Sequence, residues 1–558
     1  MGARGPVGLF GRTSSIRRAA LAVLAPGVVA AVVAAVLAGC GSAPQVVDIS
    51  PQRGAVDVRS NEPIRVRFDR PMDQDSVRAR FRVQPAVSGT MRWLGDSELT
   101  FVHEPFTPLT RYQAVLDAGY RDANGVTNTL RHSWTFRTEA PPTLAGASPS
   151  SGDREVDPAS YITLTFSRDM DPASLRGAIS LAPSAPFTIR QDATDRRRVT
   201  LAPDSLLEPR LSYAVTVNRE ARDVDGNHME SGTLVMFTTG DFRPLRHWVA
   251  FIAEPWPKTG SAGDGVWIVN ESRFPRRLVG TPVTAFSWSA DGSRLLLRGP
   301  SGSWSDQPLD GPARALPMQG EWADYLAPGL GYAHLDQGNL KILRPDGKEI
   351  AVAAGVRSAA VAPGGPRIAF TISDASGSGS AIDGYDPDLR TRYRLLNETA
   401  PIDGLAWSPD GLSLAYRVLT ADSTRRQIKV LSLKDGGVVT VATGEVSAPA
   451  WQADRRHVLF SAVVSSPDGA VTKAFRLTVG DAPPKELTVT MGIPAGGQTQ
   501  VDALSLSADG HQLAFVSGAG RPSTVWLMNA DGSGLTPLTE YDPDRFPYSC
   551  KAVAWTPT

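Results

Sequence analysis

Leu405-Ala-Trp-Ser-Pro-Asp-Gly-Leu-Ser-Leu-Ala-Tyr416 reads as two short apolar runs joined by a turn. Ser408-Pro409-Asp410-Gly411 supplies the turn, because proline presets φ and glycine accepts φ > 0. Leu412, Leu414 and Tyr416 alternate along the second run and predict one buried face. The pattern predicts an antiparallel hairpin. A single hairpin is marginal in water, but this one recurs. Phe286-Ser-Trp-Ser-Ala-Asp-Gly-Ser-Arg-Leu-Leu-Leu297 and Leu504-Ser-Leu-Ser-Ala-Asp-Gly-His-Gln-Leu-Ala-Phe515 are near copies. Ala359 to Phe370 and Ala450 to Phe460 are weaker ones, with Pro363-Gly364-Gly365 and Ala453-Asp454-Arg455 in place of the turn.

The first strands of these units start near residues 285, 322, 358, 404, 449 and 503. That interval, roughly 35–55 residues, is the period of a four-stranded propeller blade. Outer strands follow each hairpin, as in Ile428 to Leu433, then Asp435-Gly436-Gly437, then Val438 to Val441. The chain ends on a first strand without a second, Ala552-Val-Ala-Trp555. The repeat region begins on a second strand without a first, Arg246-His-Trp-Val-Ala-Phe251. One blade shared between the two ends closes a ring and leaves no unpaired edge. The count is then seven blades, or six if the degenerate unit near 322–352 is not one. The Trp-Ser-x-Asp-Gly hairpins resemble the TolB-type, WD-like propeller repeats of bacterial periplasmic proteins. That resemblance covers most of 246–558 and implies a fold, not a function.

Upstream, the chain from Val46 to Thr239 repeats once. Ile64-Arg-Val-Arg-Phe68 matches Ile162-Thr-Leu-Thr-Phe166, both period-2 strands. Phe68-Asp-Arg-Pro-Met-Asp73 matches Phe166-Ser-Arg-Asp-Met-Asp171, Tyr112 matches Tyr213, and Arg121-Asp122 with Gly125 matches Arg222-Asp223 with Gly226. Each copy is about 100 residues, the size of an immunoglobulin-like sandwich. The pattern resembles the SbsA-type bacterial Ig-like module, which implies a spacer, adhesion or display element with the Phe and Tyr in the core and the Met at one end of it. Asp223-Val-Asp225-Gly-Asn227 places oxygen ligands at alternate positions, as calcium sites do. The same residues also suit an Asx-type turn.

The N-terminus reads as an address. Residues 1–18 carry Arg4, Arg12, Arg17 and Arg18 and no acid, Ala19 to Ala38 is apolar, and Leu37-Ala38-Gly39-Cys40 follows. This is the pattern of a secretory signal, although the apolar run is also long enough to span a bilayer. Leu-Ala-Gly-Cys resembles the lipobox of bacterial lipoproteins. The resemblance implies cleavage before Cys40 and acylation of its thiol, an extracytoplasmic protein anchored in the cell membrane, and the outer membrane or surface if the source has two membranes. Acyl chains hold a protein at a bilayer through roughly 0.8 kcal/mol per buried CH₂.

The chain has 558 residues, too long for one core, with 57 Lys plus Arg against 57 Asp plus Glu, so no net field points to nucleic acid. The expected fold is all-β: a signal segment 1–39, a lipidated tether 40–45, two tandem Ig-like β-sandwiches over 46–140 and 141–240, and a seven-bladed (alternatively six-bladed) β-propeller over 241–558. Thr239-Gly240-Asp241 is a short junction that leaves room for hinge motion. Acylated, Cys40 leaves Cys550 as an unpaired thiol, more readily buried than reactive.

No zinc-protease, phosphate-loop or nucleophile-elbow motif occurs, and the histidines (103, 132, 228, 247, 334, 457 and 511) are scattered. No catalytic residue, cofactor or metal ligand is therefore assigned. The expected role is binding of an envelope protein, peptide or glycan at the propeller's end loops or channel. Loops at Trp256-Pro257-Lys258, Ser303-Trp304-Ser305 and 374–382 are candidates for the contact face. The alternative is a propeller lyase or hydrolase acting on an envelope polymer, with His, Arg and carboxylates converging in the channel.

Overall fold

The computed structural model describes residues 42–557 apart from 258–264, 364, 374–378, 421–424, 453, 467–468, 481–484, 488–500, 502 and 519–521. The signal segment and Cys40 lie outside the described residues. Among those described, no helix is long and apolar enough to cross a membrane. The chain divides after Ala140 into two compact units.

The first unit is a sandwich of a four-stranded and a three-stranded antiparallel sheet, and the second unit opens with a copy of it. Ile64–Phe68 and Ile162–Phe166 alternate as the sequence predicts, with Ile64, Val66 and Phe68, and Ile162, Leu164 and Phe166, in the two cores. Met72 and Met170 are buried in the same cores. Tyr112 and Tyr213 are buried too, and their hydroxyls accept from the backbone N–H of Thr107 (3.0 Å) and Glu208 (2.9 Å). Each therefore ties a strand to the loop five residues before it, the corner bond of immunoglobulin-like sandwiches. The Asp of each Met-Asp pair has a local task that sequence reading did not find. Asp73 and Asp171 are N-caps of the short helices Gln74–Arg78 and Pro172–Ala178, accepting from the N–H of Ser76 and Ala173.

From Val249 onward the described residues form seven four-stranded antiparallel sheets. Six are consecutive, spanning 285–319, 322–353, 356–398, 402–444, 450–486 and 503–537. The remaining one is split: Val249–Pro255, Gly265–Val269 and Arg276–Val279 are joined by the chain's last strand, Tyr548–Trp555, which pairs with Val249–Pro255. The first strand of each consecutive sheet packs on the first strand of the next, and Ala503–Leu506 packs on Tyr548–Trp555, so these strands line the inside. Seven apolar seams, one between each adjacent pair of sheets, run round the set and close it. This is a β-propeller.

The repeated hairpin explains itself locally. Ser408 donates to Asp410 (2.6 Å), Asp410 accepts from the N–H of Leu412 (3.0 Å), and Gly411 takes φ +65°. Ser507 and Asp509 repeat the first bond at 2.6 Å, and Ser289 and Asp291 at 2.7 Å. Trp407 and Trp451 then donate their indole N–H to the inner strand of the preceding sheet, at Ala360 and Ala406, both 3.1 Å. Leu412 departs from the expected face: it belongs to the turn and is exposed, and the strand starts at Ser413. Beyond it, Leu414 and Tyr416 fill one seam and Ala415 the next, because a sheet between two others buries both faces.

Candidate functional site

The second sandwich is locked to the propeller. Arg276, on the outermost strand of the split sheet, is fully buried. Its guanidinium donates to the carbonyls of Ala159 (2.6 Å) and Ser160 (2.9 Å) and lies 4.4 Å from the centre of the Tyr161 ring. Burial pushes its pKa down to about 10, which leaves it a cation at neutral pH. Tyr161 donates to Asn270 (3.0 Å), and burial pushes its phenol up to about 12. Ala159, Tyr161 and Leu206 join the apolar seam that contains Trp248 and Leu245. The junction is also zipped to its own sandwich, with Gly240 N–H donating to Val156 at 2.8 Å. The short junction is thus bonded to its own sandwich, which is bonded in turn, through Arg276, to the propeller.

Beside the clamp a cleft of about 1000 Å³ opens between the second sandwich and the propeller. One wall is Pro186 and Thr188 to Arg190 of the strand Phe187–Gln191, with Asp204 and Ser205; the other is the segment 538–548 leading into the last strand. A neighbouring lobe of about 730 Å³ shares Thr188, Ile189, Asp542, Asp544 and Arg545. Trp267, Phe546 and Tyr548 line the larger cleft, mutually packed with ring centres 5.1–5.4 Å apart, and the first two are largely buried in the closing seam. Arg190 stands 4.4 Å over the Phe274 ring. Four arginines (190, 273, 277 and 545) face four carboxylates (204, 540, 542 and 544), so the cleft carries no net charge.

Several of these groups are already engaged. Asp542 accepts from the N–H of Asp544 (2.9 Å) and Arg545 (3.1 Å), which fixes the 538–548 segment as a turn. Arg277 donates to the Gly280 carbonyl at 2.9 Å. Burial pushes the Asp204 carboxyl up, opposed by a 3.3 Å bond from Thr188.

The inner strands of the propeller carry mostly small or apolar residues, such as Ala285, Ser287, Ala360, Ala406 and Ala450. Their charged residues are Asp324, Arg357, Asp403 and Lys551, and no histidine lies on them. Asp403 is held by Arg417 (2.6 Å) and Arg426 (3.1 Å), and Lys551 by Glu254. Asp324 is half-buried and accepts from Ser287 (2.7 Å) and from the N–H of Tyr325 (2.9 Å). Burial raises its pKa to about 6.

The sequence-stated candidates distribute unevenly. Cys40 lies outside the described residues, as do Lys258 and 374–378. Trp304 is not on a loop: it sits in the strand Ser303–Pro308, buried in a seam, with its indole donating to Gly320 (3.2 Å). The turn that precedes it is Gly299 to Gly302, which is why the flanking serines looked like loop residues. Trp256 is exposed, and its carbonyl accepts from Tyr541 (3.4 Å). Asp223 accepts from the N–H of Asp225 (3.1 Å) and Asn227 (2.8 Å) and from the Asn227 side chain (2.9 Å), the bonds of an Asx turn. Asp122 repeats the two backbone bonds at 2.9 Å each. Cys550 lies inside the last strand, not before it, and is buried in the closing seam, where burial pushes its thiol up to about 12. His334 pairs with Glu349 (3.0 Å) within one sheet, and His457 with Asp454 (2.5 Å) of the turn just before its own strand. Among the described residues no group of three or more His, Cys, Asp and Glu is placed to hold a metal.

Comparison with known proteins agrees with this division. The family described as a bacterial Ig-like domain matches residues 41–138 and again 139–239. No curated protein matches the chain. Solved structures similar to it include TolB from Acinetobacter baumannii (13% identity, 68% of this chain and 83% of that one, TM-score 0.36). A putative TolB from Agrobacterium tumefaciens is similar at 18% identity over 56% of this chain and 99% of that one, TM-score 0.33. A putative 6-phosphogluconolactonase from Bacteroides uniformis is similar at 14% identity over 52% and 95%, TM-score 0.37. Likenesses this distant carry nothing about activity.

Proposed function

We propose that this chain is a lipoprotein of the bacterial envelope, anchored through Cys40, that binds an envelope protein, peptide or glycan without turning it over. We read its seven sheets as seven blades closed by the last strand. The observation that carries the binding reading is the clamped cleft. Two domains joined by a buried arginine flank an aromatic-lined concavity, the usual form of a binding site. The inner strands support the non-catalytic part, because acid–base chemistry needs a positioned acid and base. Among the described residues the hydrogen-bond partners of Asp324 are Ser287 and a backbone N–H. The anchor rests on the Leu-Ala-Gly-Cys motif.

The test is expression of the full chain in a lipoprotein-processing bacterium with labelled palmitate, followed by mild solubilisation and capture. Label that disappears in Cys40→Ala, with a specific envelope component retained and left unaltered, is the expected result. Palmitate incorporation unaffected by Cys40→Ala rejects the anchor. Turnover of an envelope polymer by the captured protein rejects the non-catalytic reading.

A further inference from the structure

We infer that the cleft binds an extended peptide segment, which adds as a further strand to the edge of the second sandwich. This rests on the binding reading and names the ligand class for it. Phe187–Gln191 is the edge strand of its sheet, paired on one side only. The backbone bonds at its two ends fix which groups point which way. Asp204 N–H donates to Pro186 (2.8 Å), and Asp192 N–H donates to Arg198 (3.0 Å). In an antiparallel ladder the bonded residues alternate, so 186, 188, 190 and 192 face the partner strand. The N–H and C=O of Phe187, Ile189 and Gln191 point off the edge, and among the described residues these amides have no partner. A proper strand edge of this kind is a template for another chain.

The side chains of the edge strand divide accordingly. Phe187 and Ile189 pack on the sandwich core, while Arg190 reaches the propeller at Phe274. An added strand therefore sends alternate side chains towards the propeller wall, where Tyr541 and the half-buried Tyr548 are the accessible aromatic side chains. Five paired residues cover about 17 Å. The edge itself favours a peptide over a sugar, because outward N–H and C=O groups at strand spacing are matched by another backbone.

The experiment selects from a phage-displayed dodecapeptide library on the intact chain. Selected peptides are then synthesised for anisotropy titration and for hydrogen exchange read at single amides. The expected result is a set of peptides with apolar residues at alternate positions that slow exchange at Phe187, Ile189 and Gln191 at least tenfold. Their affinity should fall at least tenfold in Ile189→Pro, which removes an outward N–H that the ladder does not use. It should hold in Met91→Pro, a substitution in the edge strand of the first sandwich. The exchange measurement needs no variant, so a misfolded proline mutant does not decide the outcome. Amides at 187, 189 and 191 already protected in the free chain overturn the inference, because the edge is then covered. Selected peptides that instead protect the inner strands, such as Ala285–Trp288, overturn the cleft but keep the binding reading. A library that yields nothing, while a glycan array yields a ligand, overturns the peptide assignment and likewise leaves the binding reading standing.

Discussion

Arg276→Met tests the clamp most directly, because methionine keeps the apolar stem and removes only the guanidinium. Two charge-assisted bonds to buried carbonyls, at 2.6 and 2.9 Å, contribute about 1.5–3 kcal/mol each. The stack on Tyr161 at 4.4 Å adds about 2 kcal/mol in a desolvated setting. Against these stands the cost of burying the cation. A pKa lowered from 12.5 to about 10 corresponds to about 3.4 kcal/mol at 1.36 kcal/mol per unit. The net is about 2–5 kcal/mol, and it couples the second sandwich to the propeller. The variant should therefore split the calorimetric melt. The second sandwich, a domain of ordinary size, should melt earlier by on the order of 10 °C, while the propeller transition stays in place. Arg276→Lys keeps the charge but loses the fork and should fall between the two. A single transition within a degree or two of the parent would refute the reasoning, since the interface would then be held by the apolar contacts of Tyr161, Leu206 and Trp248 alone.

Asp324→Asn should stabilise the protein at pH 7–8. The folded chain holds that proton up to about pH 6 against an ordinary 3.8, so it binds more protons than the unfolded chain in that window, and stability falls as pH rises through it. Allowing for the half-exposed position, the gain in the variant is about 1–2 kcal/mol at pH 7 and vanishes near pH 3.5; an equal gain at both pH values would sink the argument. Removal of residues 551–558 takes Trp555 and much of the closing strand from the seam that joins the split sheet to its neighbour, and should abolish the cooperative melt of the propeller. A truncated chain that melts like the intact one would reject the strand closure. Cys550 should resist alkylation in the native chain at pH 8, where a thiol with pKa about 12 is thiolate to the extent of on the order of 10⁻⁴, and should react once the chain is unfolded in denaturant. Rapid native labelling would show that the closing strand opens.

Much of the fold is local and therefore legible. The Ser-x-Asp-Gly turn closes on itself through Ser408, Asp410 and Gly411, so its chemistry is complete within a few residues and recurs wherever they do. The same holds for the Tyr112 and Tyr213 corners and for the Asp122 and Asp223 turns. The split sheet was legible because a strand without its neighbour stood at each end of the repeat. Three features were not. The helices capped by Asp73 and Asp171 have only five and seven residues, too short to show a helical period. Trp304 was misplaced because Ser-Trp-Ser after a glycine turn has loop composition, although its indole fills a seam. Arg276 is next to Arg277 in the sequence, and a paired arginine on a strand normally reads as solvent-facing. Nothing local distinguishes the one that goes inside.

The candidate site was illegible for a deeper reason. Arg190 and Arg545 meet in it from distant parts of the chain, and the amides that point off the edge strand beside it, those of Phe187, Ile189 and Gln191, are backbone and leave no mark in the sequence. A repeat reading assigns function to the repeating part, and so pointed to the propeller's loops and channel. The structure places an aromatic-lined cleft where the repeat meets something else. This changes which piece of the protein carries the function. Residues 241–558 alone would expose Arg276 and the seam around Trp248 and would lack one wall of the cleft. A partner lost on truncation to the propeller, and regained when residues 141–240 are restored, would locate binding at the junction. A partner retained by the isolated propeller would return it to the loops or the channel.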